Sequence, residues 1–217
     1  MAVPFPRPRH TVPVVFALLS ATASALVVSL PDEQTRTQWE AWASTDLDNL
    51  ADHPLGALLA SAFVGGPSPW WNLALVSLGL FLLADRVGGA VAAGALVGGH
   101  VSGTLVSQGL AAVLISVGWA PEQLRTEPDV GSSYLLVAVL AALAASPSAG
   151  RVRVAAIGAL VVRGPGLFVN LHGFSVPVTG HLVALAVGAA VARLHLRGAH
   201  GVAAPGPVAA AGNRVRV

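Results

Sequence analysis

Residues 129–138 read DVGSSYLLVA, a Gly and two serines at the mouth of an apolar run that continues to Ala145. One reading is a plain helix start, with the Asp129 carboxylate as N-cap. The other places one of the hydroxyls for chemistry just below a membrane surface. The rest of the chain has to choose between them.

The composition gives the setting. The chain is 54% hydrophobic and only 10% charged, with a mean hydropathy of +0.72. A soluble globular domain carries about 25% charged residues, so this chain cannot cover a water-facing surface. The fold class expected is all-α, a polytopic membrane protein whose first environment is the lipid bilayer. All twelve basic residues are Arg, and there is no Cys. Disulfides and thiolate metal sites are therefore excluded. No basic face or aromatic-basic patch points to nucleic acid.

Six spans are expected. The first runs from Thr11 to Leu30, about 20 residues and long enough to cross. The ATASA stretch at 21–25 resembles a signal cleavage site, but it lies inside the run, so the span is read as uncleaved. Residues 31–66 form an outer loop with six carboxylates, from Asp32 to Asp52, interleaved with Trp39, Trp42 and Leu47. Further spans are expected near 70–83, 88–110, 130–145, 152–168 and 179–194, the fifth interrupted by the RGPG stretch at 163–166. Gly94, Gly98, Gly99 and Gly103 provide small residues four apart, which let helix backbones approach closely in lipid. Residues 1–10 read as an N-terminal segment, 11–197 as one membrane domain, and the Gly/Pro/Ala-rich 198–217 as a disordered tail.

With six spans, both termini share a side with the 2–3 and 4–5 turns. That side collects nine of the twelve arginines, and the other takes every acidic residue but Asp85. The positive-inside rule then puts both termini in the cytoplasm. Arg-only, Ala/Gly/Val-rich usage suggests a high-GC bacterial source, and so the plasma membrane.

Polar residues in spans normally face the bundle interior and mark function. Asn72, Ser133 and His181 begin three spans from the same face, only a turn or two deep at about 1.5 Å per residue. An imidazole can take a hydroxyl proton and return it to a leaving amine. An amide such as Asn72, with a backbone N–H, can stabilise an oxyanion. Against this, a serine in a membrane helix is usually a packing residue. His181 reads equally as a structural partner, and His100 as a partner for Ser102 or Thr104. Arg163, near the outer end of the fifth span, either snorkels to the surface or gates a substrate. His100, His172 and His181 lack a carboxylate neighbour or a ligand spacing, so no metal or other cofactor is expected.

This arrangement resembles the rhomboid intramembrane serine proteases over roughly residues 45–195. Gly131-Ser132-Ser133-Tyr134 stands where that family has Gly-x-Ser-Gly at the top of the fourth helix. Thr179-Gly180-His181, with Gly188 seven later, resembles the sixth-helix motif, and Ser68 with Asn72 stands where the second helix carries His-x-x-x-Asn. The resemblance implies a rhomboid-like six-helix bundle, with Ser133 as nucleophile and His181 as base. Asn72, Ser68 and Gly131 would support the oxyanion. It implies cleavage of single-span membrane substrates; the alternative is an inactive relative that binds or chaperones membrane helices. The departures are Ser68 for His, Tyr134 for Gly, and Val137 where many members stack a Tyr under the His.

Overall fold

The computed structural model describes residues 8–64, 69–130, 132–169 and 173–201. Among these residues the regular structure is entirely helical. The first long helix, α1, is Thr11–Ser29. Three short helices follow in the outer loop: α2 (Glu33–Ala43), α3 (Leu47–Asp52) and α4 (Pro54–Ser61). Five longer ones complete the bundle: α5 (Pro69–Arg86), α6 (Gly89–Ser116), α7 (Ser133–Ala145), α8 (Arg151–Leu167) and α9 (Val176–Gly201).

The outer loop folds through its own local signals. Asp32 caps α2 by accepting from the Thr35 N–H at 2.7 Å, and Asp46 caps α3 by accepting from the Asn49 N–H at 2.9 Å. Such caps satisfy helix-start donors that have no partner inside the helix. Pro54 opens α4 at a position where its missing N–H costs nothing. His53 stacks on Trp42 at 5.3 Å and 12°. Arg125 reaches across from the later loop to Asp48 at 2.9 Å.

Helix α7 lies at the centre, packed between α6 and α9 on one side and α5 and α8 on the other. Of its thirteen residues, nine are buried. At about 1.5 Å per residue it is about 20 Å long, shorter than the ~30 Å hydrocarbon core. Small residues allow its close packing. A side chain at Gly99 would strike Ala138, and one at Gly188 would strike the Ala138 backbone. Gly94 and Gly98 face Val191 and Val187 of α9, and Gly103 faces the Gly180 carbonyl. Gly94, Gly98, Gly99, Gly103 and Gly188 all lie at helix–helix contacts.

One end of the bundle gathers the start of α1, the α5–α6 turn and the later part of α9. Arg9 pairs with Asp85 at 3.1 Å, and Gly88, at φ 141°, makes the turn beside His195. Among the described residues, α1, α6 and α9 as far as Gly198 are the helices both long and apolar enough to cross a bilayer on length and composition.

Several sequence expectations shift. The third span does not end near Leu110; α6 continues to Ser116. The RGPG stretch does not break the fifth span, because α8 runs through Pro165 to Leu167. Here a proline within the last turn removes a single backbone bond near the helix end, which the helix tolerates. The sixth span is longer than expected, since α9 reaches Gly201 and absorbs the first residues assigned to the tail. The rest of that tail, from 202 onward, lies outside the described residues.

Candidate functional site

The opening stretch does begin a helix, but not with Asp129 as its cap. The N-cap is Ser132, whose side chain makes no capping hydrogen bond. Asp129 instead joins three parts of the molecule. Its backbone carbonyl accepts from the Thr45 N–H at 2.9 Å and from the Thr45 hydroxyl at 2.9 Å. Its own N–H donates to Ser44 Oγ at 3.0 Å. Its carboxylate accepts from the Tyr134 hydroxyl at 3.0 and 3.2 Å. The outer loop is therefore fastened to the head of α7 through one residue. Burial pushes the Asp129 carboxyl up to about 6, against the lowering effect of hydrogen bonds from Tyr134 and Thr45; nearby Glu127 adds to the rise.

Tyr134, the single tyrosine of the chain, is 2% exposed. Its ring lies against α9, where a side chain added at Gly180 would overlap it, and it also faces Gly103 of α6. It meets the His181 ring edge-on, with centroids 5.1 Å apart at 77°. The aromatic partner expected at Val137, and missing there, is supplied one helical turn earlier. Both positions lie on one side of α7 because residues three apart are neighbours on a helix.

His181 is buried. Its Nδ1 donates to the Leu167 carbonyl at 2.7 Å. In the neutral ring this leaves Nε2 as the acceptor. That nitrogen is buried and has no partner among the described residues. Ser133, at the first position of α7, is half-buried. No hydrogen bond joins it to His181; the rings against His181 are those of Tyr134 and, a little farther off, Phe168.

Asn72 is engaged elsewhere. Its Oδ1 accepts from Arg163 Nη2 at 3.0 Å, tying α5 to α8. Ser68 and Gly131 lie outside the described residues, as does His172. His100 does not bond Ser102 or Thr104. Its Nε2 contacts the Leu58 carbonyl at 2.9 Å and Ser61 Oγ at 3.2 Å, holding α4 of the outer loop against α6. This escaped the sequence because it links residues 39 and 42 positions apart. The Asp129–Thr45 link, 84 positions apart, escaped it likewise. A signal did exist: a carboxylate and the only tyrosine, five residues apart, bracket the start of α7. No group of three or more His, Asp or Glu side chains suited to a metal occurs among the described residues.

An all-helical bundle with long apolar helices, a folded outer loop and a Tyr–His pair buried between central helices defines a multi-pass membrane protein. The family described as "Rhomboid-like protein" matches residues 10–201, and the chain belongs to it. No curated protein and no solved structure matches the chain.

Proposed function

We propose that this rhomboid-like protein binds or chaperones membrane helices without cleaving them, in a six-span arrangement with both termini cytoplasmic. The observation that carries the reading is the Tyr134 ring. It fills the space beside His181 and is anchored at its hydroxyl by Asp129, while Ser133 makes no hydrogen bond to the imidazole. A serine without a base in contact is a poor nucleophile. Asn72 is also occupied by Arg163, which weakens its candidacy as an oxyanion donor.

One observation favours the second reading, a Ser133–His181 intramembrane protease. The Nδ1–H bond to Leu167 holds His181 in the tautomer a general base needs, with an Nε2 lone pair unclaimed. Labelling of the reconstituted protein with a serine-reactive fluorophosphonate separates the two. The non-cleaving reading expects wild type to label no more than Ser133→Ala, and a reconstituted single-span reporter to stay intact while crosslinking to the protein. Wild-type labelling abolished by both Ser133→Ala and His181→Ala would establish the protease instead.

A further inference from the structure

Helices α5 and α8 both pack on α7 but make little direct contact with each other. The gap between them is a lipid-facing cavity of about 240 Å³. Leu136, Leu140 and Leu143 of α7 form its floor. Leucines of α5 form one wall. The α8 wall is cut back to Ala155, Ala156 and Ala159, and that is what leaves the space open. The lining includes one charged side chain, Arg163, at the end nearest the outer loop.

Arg163 is short of partners. Its described hydrogen bond goes to the neutral amide oxygen of Asn72. All ten acidic side chains of the chain are described, and the ion pairs they form use only Asp85 and Asp48. No side-chain carboxylate therefore neutralises Arg163. A guanidinium held at the edge of an apolar groove gains most from an anion, and its planar fork matches a phosphate with two parallel hydrogen bonds. Arg163 lies four residues before the end of α8, about 6 Å along the axis. Its side chain can thus reach the headgroup level.

The shape narrows the occupant. From Val152 to Arg163 the groove runs about 16 Å along α8. It is lined by aliphatic side chains with a single cation at one end, which matches one extended hydrocarbon chain carrying an anionic head. We propose that the α5–α8 groove is a binding site for an anionic phospholipid, with one acyl chain along the α7 leucines and its phosphate on Arg163. The inference goes beyond the function proposed above and holds whether or not the protein cleaves.

The test uses the full-length protein in detergent, titrated with phosphatidylglycerol or phosphatidylcholine and read by native mass spectrometry. Wild type should retain one phosphatidylglycerol at least tenfold better than phosphatidylcholine. Arg163→Gln should bring the two lipids level, and Arg163→Lys should retain an intermediate preference. Ala159→Phe, which fills the groove and leaves the charge, should lower retention of both lipids. Circular dichroism and gel filtration identify any variant that has merely misfolded, and Arg163→Lys then carries the comparison. Equal retention of both lipids by wild type, or an unchanged preference in a folded Arg163→Gln, overturns the proposal. So does a synthetic single-span peptide with an acidic outer end that displaces the lipid and depends on Arg163 for doing so.

Discussion

The two sides of α7 solve the same packing problem in opposite ways. Toward α6 and α9, glycines and alanines bring backbones together and one aromatic ring is inserted between them. Toward α5 and α8, the facing leucines and alanines leave a groove. The α6–α9 side has no spare volume: side chains at Gly99, Gly180 and Gly188 would overlap Ala138 or Tyr134. On the α5–α8 side the tight glycine is Gly79, where an added side chain would meet Val139, while Gly158, Gly164 and Gly166 of α8 have nothing within 4 Å of one. A sealed half and an open half on one central helix put close packing where His181 lies and free volume along the α5–α8 groove.

The comparison breaks most readily at Gly188. A Leu there meets the Ala138 backbone, which cannot move aside as a side chain can. Overpacking typically costs about 1–3 kcal/mol, and more where the struck atoms are rigid backbone. Gly188→Leu is expected to give no cooperatively folded protein by thermal melting in detergent. A melt within a few degrees of wild type would mean that the α7–α9 contact is looser than described. Next in size is Tyr134→Ala, which empties the space between His100 and His181. It should cost about 3–5 kcal/mol, as for other buried aromatics. Tyr134→Phe keeps the ring and removes the donor to Asp129, so its cost should fall to about 1–3 kcal/mol. If the two variants melt alike, the hydroxyl and not the ring holds this half together.

The same pair sets a pH dependence. The folded Asp129 carboxyl titrates at about 6, above its ordinary value of 3.8, so the folded protein binds this proton more tightly than the unfolded chain. The resulting stability is fully present below pH 3.8 and is lost as pH rises through about 6. The full effect is on the order of 3 kcal/mol. Wild type should lose melting temperature between pH 4 and pH 7 relative to Asp129→Asn, which cannot titrate. Exposed Asp32 is held below its ordinary value by the Thr35 N–H, so it acts with the opposite sign at lower pH. It cancels because both proteins carry it. Parallel pH profiles for the two proteins would show that Asp129 is not desolvated in solution.

The sequence made the helical class, the small-residue contacts and the family resemblance readable, because each rests on local pattern or composition. Gly94 and Gly98 could be named because four-residue spacing alone puts them on one helix face. The site was less legible. Asp129 looked like a cap because a carboxylate before a helix usually is one. What drew it away was Tyr134 on the next turn and Ser44–Thr45 from a distant loop, and no spacing rule encodes that meeting. Asn72 looked like an oxyanion donor because its depth matches that of Ser133; depth says nothing of azimuth, and it faces Arg163. The helix runs on through Pro165 because a proline near a helix end removes only one bond. The partners of His100 stay hidden because contacts three or four residues away are the ones a sequence displays.

The smallest effect expected on stability is on the open side, and it is the sharpest check on the comparison. Ala159 is half-buried on the α8 wall of the groove, with open groove volume before it. A Phe there extends into existing volume and displaces hydrocarbon with hydrocarbon. It gains no cavity term and meets no rigid atom, so the change in stability should stay within about 0.5 kcal/mol. The larger side chain of Gly188→Leu on the opposite face should unfold the protein, although both substitutions enlarge a small residue beside α7. Thermal melting of Ala159→Phe in detergent and again in phosphatidylglycerol separates two contributions. In detergent it should match wild type. In the lipid, wild type should gain stability from ligand binding in proportion to its occupancy, and Ala159→Phe should gain less. If Ala159→Phe is instead destabilised by several kcal/mol in detergent, the groove closes in solution and the two halves of the molecule are packed alike.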